Sequence, residues 1–421
     1  MADTIRPAAP AAADVVPTET IRAAFPALER RHGGHPVAFF DGPGGTQVPR
    51  VVGDAMLDYL YRHNANTHWA YPTSEETDAA LTHAREVLAS FVNGAPREIV
   101  FGANMTSLTM HLARALARSW SRGDEVIVTE LDHHANVAPW TALERDFGIT
   151  VRTVQMRTED GSLDWDDFAG KLSARTRLLA VGAASNALGT VTDVSRAAKL
   201  AREAKALLFV DGVHAAPHRL TDVRALGCDF FACSAYKFYG PHVGVLWGRE
   251  GLLAECDFPR LIPASAEPPE RAETGTLNHE GIVGTGVAVE WLTSLAPAGT
   301  TRARLGAVFD ALHHRGAALG TALWEGLGRI RGVRRFGPPP DAARTPTIAF
   351  VVDGVASTAV ARHLADCGIF VSHGDFYAHT VVARLGLHPE GLVRVGGACY
   401  TTAEEVDRLL AGVTSLVRRT S

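Results

Sequence analysis

The chain has 421 residues, 46% of them hydrophobic and 21% charged, with a formal net charge of −5. That is enough chain for a large core shared between two lobes, in a soluble globular protein of ordinary composition. Its 41 basic residues comprise four lysines and 41 − 4 = 37 arginines, scattered rather than clustered, which argues against a nucleic-acid surface.

The first residues, "MADTIRPAAPAAADVV", lack a basic segment followed by an apolar core, and their Ala/Pro content suggests a loose arm. No apolar run approaches bilayer length, so a cytoplasmic location is expected. The five cysteines form no CxxC pair, and the 18 histidines show no HExxH spacing. Neither a disulfide framework nor a metal site is indicated.

From about residue 95 to 250, short apolar runs alternate with amphipathic stretches. "EIVFG", "DEVIVTE", "TVRTVQM", "RLLAVGAAS", "ALLFVDG" and "DFFACSA" read as buried strands. "SLTMHLARALARSW", "ANVAPWTALERDF" and "VSRAAKLAREA" read as the helices between them. This alternation predicts an α/β fold with a mostly parallel sheet covered on both faces, with ligands at the carboxyl ends of the strands. A long helix, "AGTTRARLGAVFDALHHRGAALGTALWEGL", leads into a smaller α/β lobe. That lobe is built from "PTIAFVVDG", "STAVARHLADCG", "IFVSHG", "GLVRVGG" and "TAEEVDRLLAGVTSLVRR". The expected division is an arm and part of the small domain in 1–45, a large domain in 46–295 and a small domain in 296–421.

Candidate chemistry gathers at the predicted strand ends. Met105, Thr106 and Ser107 open a helix after "FGAN", where backbone N–H groups and a hydroxyl suit a phosphate or merely cap the helix. His133 follows "VIVTE"; it is either a turn residue or an imidazole laid flat over a ring. Asn186 follows the next strand, as a turn residue or a donor to a phenolate oxygen. Asp211 closes "ALLFVD", as a cap or as a carboxylate holding a pyridinium nitrogen protonated. Lys237, in "CSAYKFYGPHVGVLWG", differs from Lys171, Lys199 and Lys205 in having apolar and aromatic neighbours. Burial there would favour the neutral amine, a nucleophile suited to Schiff-base chemistry, unless the side chain snorkels outward.

With these residues in place, the sequence resembles the class V aminotransferase family of fold-type I pyridoxal-phosphate enzymes. It is similar in particular to the group-II cysteine desulfurases and selenocysteine lyases. The likeness runs from "FFDGPGGTQVP" to "ACYTTAEEVDRLL" and includes "DHHANVAPW", "SNALGT", "VDG" and "KFYGP". It implies pyridoxal 5'-phosphate as cofactor, with Lys237 forming the Schiff base, Asp211 at the pyridine nitrogen and His133 on the ring. Asn186 would sit near the ring oxygen, with Thr106, Ser234 and the Met105 amide near the phosphate. The resemblance also implies a homodimer with a shared active site, Gly275 and Thr276 of "ETGTLNHEG" serving the neighbouring subunit. Arg394 of "GLVRVGG" would grip a substrate carboxylate, a task that suits a guanidinium fork.

The departures from the family pattern bear on the reaction. Where the desulfurases carry a persulfide-forming loop cysteine, this chain reads "GIFVSHGDFYAHTVVARLG", with Tyr377 in the cysteine's place and no cysteine between Cys367 and Cys399. Tyr236 replaces their usual His and His214 their usual Gln; the first would donate its phenol to the phosphate, and the second would approach the phosphate or the ring oxygen. Kynureninase shares both features. The nearest likeness, through "NANT", "FGANMTS", "SAYKF" and "ETGT.NHEG", is to a subgroup called cysteine desulfurase-like. His373, Asp375, Tyr377 and His379 crowd the loop, either as solvated residues or as proton carriers. The expected activity is carbon–sulfur β-elimination on cysteine or an S-substituted cysteine. The alternatives are transamination, racemisation, kynureninase-like cleavage or a non-enzymatic cofactor-binding role.

Overall fold

The computed structural model describes residues 15–420; the arm read in residues 1–14 lies outside them. Seven strands form the large sheet: β1 (Ile99–Gly102), β2 (Glu125–Thr129), β3 (Thr150–Val154), β4 (Thr176–Gly182), β5 (Leu207–Asp211), β6 (Phe230–Ser234) and β7 (Gly244–Gly248). Their order is β1-β7-β6-β5-β4-β2-β3. The pairs from β6 through β3 are parallel, and β7 runs antiparallel to both of its neighbours.

Six of these strands follow the sequence reading. The seventh, β7, lay unread inside the lysine motif. A hairpin turn returns the chain from Lys237 to insert this strand between β1 and β6, with Gly244 opposite both Gly102 and Ser234. A side chain at Gly244 would come within 2.4 Å of the Asn104 backbone, so only glycine lets this strand pass the start of the next helix.

Helices cover both faces. They include α1 (Pro72–Val92), α2 (Met105–Ala117), α3 (Ala138–Phe147), α4 (Val194–Ala204), α5 (His279–Ser294) and α6 (Thr301–Gly328). Alternate residues of each strand go to opposite cores, as a pleated strand requires. Leu208 and Val210 of β5 join Phe91 of α1, Ala197 of α4 and Phe309 of α6. Phe209 joins Leu112 of α2 and Trp140 of α3. Where both faces are buried, the strands read as continuous apolar runs rather than alternating ones. The edge strand β3 reads as buried in the sequence, but Thr150, Arg152 and Thr153 are exposed because only one side of it is paired.

The stretch that forms α1 is not read as a helix from the sequence. In the structure Pro72 opens this helix and Asn93, with φ 61°, closes it in the left-handed conformation. The smaller sheet consists of β8 (Val333–Phe336), β9 (Thr347–Val352), β10 (Ser372–Gly374) and β11 (Leu392–Gly396), in the order β8-β9-β11-β10, all antiparallel. It packs on α7 (Ser357–Asp366) and α8 (Ala403–Thr420). The run "IFVSHG", read as one strand, is two. Ile369–Phe370 pairs with Ala38–Phe39, and the chain changes partner at Val371 before β10 joins β11. Asp41 bridges to Gly396, which brings residues 38–45 against the small sheet beside Lys237. No helix among the described residues is long and apolar enough to cross a membrane.

Candidate active site

The carboxyl ends of β4, β5 and β6 and the first turn of α2 enclose a cavity. Thr106, His133, Asn186, Asp211, Ser234 and Lys237 all line it, together with Met105, His214 and Tyr236. Residues far apart in sequence meet there because each parallel strand ends on the same edge.

Lys237 sits on a short 3₁₀ turn after β6 and is 7% exposed. Its ammonium donates to the Pro43 carbonyl and lies 4.9 Å from the centroid of the Tyr236 ring. Burial, then the nearby Arg394 guanidinium, holds its pKa down to about 7, against the pull of Asp211 and Asp41. The side chain therefore does not snorkel; it is an amine poised between its two protonation states. Asp211 accepts from the Val213 N–H at 2.9 Å through one carboxylate oxygen, while the other has no hydrogen-bond partner among the described residues. Burial raises its pKa to about 6.

Asp132 was not singled out in the sequence, although it precedes His133. It is buried and accepts from the Thr129 hydroxyl at 2.9 Å. Burial and the Asp211 charge lift it to about 8, so in this pair Asp132 keeps the proton and Asp211 carries the charge. A Cβ on Gly182 would fall 2.3 Å from its carboxylate, so glycine at the end of β4 is what admits this acid. Asp41 is a second such residue, near Arg394 and Lys237, with one buried oxygen unpartnered. An Asp before the Gly-Pro-Gly-Gly run was the only signal for it.

The His133 ring accepts the Ala135 N–H at Nδ1 (3.0 Å), and burial depresses its pKa to about 4, so it is a neutral imidazole. The Tyr377 ring lies against it, centroids 5.5 Å apart at 33°. Tyr377 is 72% exposed, in a turn where it and Phe376 both have positive φ (57° and 56°). That turn is pinned by the His134 N–H donating to the Tyr377 carbonyl (2.7 Å) and by Asn186 Nδ2 donating to the Phe376 carbonyl (2.9 Å).

Arg394 is 4% exposed and flanks the cavity rather than lining it. One Nη donates to the Asn186 carbonyl (2.8 Å), the guanidinium lies 4.2 Å from the Phe376 ring centroid, and Nε has no partner. Burial draws its pKa down to about 9. His214 lines the cavity, but its Nε2 is engaged by the Thr345 and Thr347 hydroxyls at 3.1 and 3.0 Å. Tyr236 stacks on His242 (4.9 Å, 16°). Gly275 and Thr276 are exposed and do not reach this cavity; they border a separate cleft with Trp69 and Leu261.

These residues fit a phosphorylated pyridine aldehyde. The Met105 N–H, at the positive end of α2, already donates to Ser234 Oγ (3.1 Å), and Thr106 stands beside it. Asp211 offers a free carboxylate oxygen, Asn186 Oδ1 is buried without a partner, and Lys237 supplies an amine. Acceptors, donors and nucleophile are each present where such a ring and its phosphate would need them.

The pattern of the family described as Aminotransferase class-V matches residues 38–409. A cysteine desulfurase of Serratia proteamaculans (strain 568) is 33% identical over 94% of this chain and 97% of its own length. A probable cysteine desulfurase 2 of Mycobacterium leprae (strain TN) is 34% identical, over 93% of this chain and 95% of its own. Among solved structures, an apo cysteine desulfurase from Thermococcus onnurineus NA1 superposes with TM-score 0.86 at 27% identity, covering 100% of both chains. A cysteine desulfurase from Escherichia coli gives TM-score 0.83, also at 27% identity, covering 96% of this chain and 99% of its own.

Proposed function

The chain belongs to the aminotransferase class-V family, and we propose that it is a carbon–sulfur lyase acting on cysteine or an S-substituted cysteine. The family depends on pyridoxal 5'-phosphate, and this chain is a pyridoxal-phosphate-dependent enzyme. When bound, the cofactor supplies an electron sink for the charge left at the substrate Cα after proton loss.

The roles of the chain's own residues follow from their chemistry. Lys237 Nζ anchors the cofactor and later takes the Cα proton, which a buried amine titrating near 7 can do at neutral pH. Asp211 keeps the ring nitrogen protonated, and Asp132 holds its own proton so that no second charge competes. His133 covers one ring face and Asn186 faces the ring oxygen. Thr106, Ser234 and the Met105 amide take the phosphate, with Tyr236 and His214 beside them. Arg394 holds the substrate carboxylate once it leaves the Phe376 ring. The functional unit is a homodimer in the cytoplasm, where Gly275 and Thr276 of the partner subunit complete the phosphate site. Residues 46–295 form the cofactor domain, and 296–421 with part of 1–45 form the smaller one.

The observation that carries the lyase reading is the absence of any cysteine from the cavity walls, with Tyr377 at the rim. Cys233 and Cys399 are buried, and burial pushes their thiols up, Cys399 to about 12. Neither suits a persulfide carrier, which must be a reachable thiolate. Without a carrier, the electrons of the Cβ–S bond leave with sulfur, which takes a proton from Tyr377 or a loop histidine. The three-carbon remainder reacts with water to give pyruvate and ammonia.

The test is to incubate the holoenzyme with cysteine and with S-alkyl cysteines and to follow sulfide or thiol, pyruvate and alanine. Pyruvate in step with thiol is expected. Alanine together with a protein-bound persulfide would overturn the reading.

A further inference from the structure

A second cavity, of about 310 Å³, lies between α6, residues 340–346 and the turn after β11. It is separated from the Lys237 cavity by a thin wall. Thr345 lines it while holding His214 on the other side, and the His218 ring facing it is 5.5 Å from the His214 ring.

Its walls are cationic. Arg219, Arg315 and Arg344 line it against a single carboxylate, Asp341, which leaves 3 − 1 = +2 before any histidine is counted. The half-buried Arg85 and Arg22 meet acids, Glu273 at 2.7 Å and Glu405 at 3.0 Å, whereas of the three here Arg315 and Arg344 are half-buried and Arg219 is exposed. None of these three meets an acid among the described residues. Arg344 donates to the main-chain carbonyls of Pro338, Thr345 and Thr347, Arg315 to that of Cys399, and the Arg219 side chain has no hydrogen bond among the described residues. The rings of His218 and His313 also line the cavity and have no hydrogen-bond partner.

Cations gathered in a concave, half-dry space without a counter-charge cost free energy, and an anion placed among them recovers it. Guanidinium forks are shaped for two-oxygen partners. We infer that this cavity is a binding site for a small oxyanion ligand, a phosphate ester or a carboxylate, separate from the cofactor cavity. Its volume falls at the small end of ligand pockets, roughly 300–1,000 Å³, and suits a small molecule.

The experiment uses the holoenzyme, whose cofactor already fills the phosphate site beside Lys237. Inorganic phosphate and citrate are titrated separately by calorimetry into the wild type and into Arg219→Ala, Arg315→Ala and Arg97→Ala. The Arg219 side chain is exposed and makes no hydrogen bond or ion pair among the described residues, so its truncation should leave the fold intact, and an unchanged melting temperature checks this. Saturable binding at one site per chain is expected, weakened roughly tenfold or more by Arg219→Ala and Arg315→Ala and untouched by Arg97→Ala. Binding of phosphate alone assigns a phosphorylated ligand, and binding of citrate alone a carboxylate. No saturable binding by either probe overturns the inference. So does binding that Arg219→Ala leaves unchanged, which would belong to Arg394.

Discussion

The floor of the Lys237 cavity and the rim above it are built on opposite principles. The floor consists of buried groups at strand ends: Lys237, Asp211, Asp132 and His133, each moved from its ordinary pKa by burial and by its neighbours. The rim is a turn carrying two residues with positive φ and an exposed tyrosine, attached by hydrogen bonds from His134 and Asn186. On the proposed reading, the rigid floor would hold the cofactor and manage its charge. The rim would then meet the rest of the substrate. Changes to the floor should therefore abolish chemistry, and changes to the rim should redirect or slow it.

The sharpest break is Lys237→Ala. Removing the only amine in the cavity should cost at least about 10³-fold in turnover. It should also remove the visible absorbance of the lysine-bound cofactor while the melting temperature stays near that of the wild type. A retained band would assign the anchoring amine elsewhere. Next in size is Arg394→Ala, which should weaken substrate binding by roughly 2–4 kcal/mol, the cost of a lost charged hydrogen-bond partner. The loss should appear in KM more than in kcat, because the carboxylate is held equally before and during reaction. Unchanged saturation would place the carboxylate on another group.

The floor also predicts a pH dependence. Lys237 in the apoenzyme is held at about 7, so its neutral, nucleophilic fraction grows with pH and is nearly complete above 8. Cofactor capture by the apoenzyme should accelerate about tenfold per pH unit below 7 and then level off. A rate still climbing toward pH 10 would mean that the amine is not desolvated. Stopped-flow absorbance measures this directly.

The same contrast governs what the sequence reveals. β1, β2, β4, β5 and β6 are legible because strands buried on both faces become apolar runs, and the exposed edge strand β3 by its β-branched residues alone. Asp211 and Lys237 stand out as charges at the ends of such apolar runs. β7 was hidden because "GVLWG" is too short to separate from the lysine motif. The helix α5 was hidden because it is buried nearly all round, with Gly281, Gly284, Gly286 and Ala288 along it, so it has no amphipathic period. Asp132 and Asp41 were missed for another reason. Their importance comes from proximity to Asp211 and Arg394, contacts that span 79 and 353 residues (211 − 132 and 394 − 41) and leave no local trace. Tyr377 could be located from the text, but its stacking on His133 could not.

That stacking sets the smallest and most informative prediction, Tyr377→Phe. The phenylalanine keeps the ring on His133 and the turn that both carbonyls anchor, and it deletes only the hydroxyl. If the phenol protonates the departing sulfur, turnover of S-alkyl cysteines should fall roughly tenfold, within the lower range of general-acid effects, with KM little changed. The deficit should shrink for a substrate whose thiol is more acidic, since a better leaving group needs less help from an acid. Equal rates for wild type and variant across such a series would exclude the phenol and pass the proton to His379 or His373.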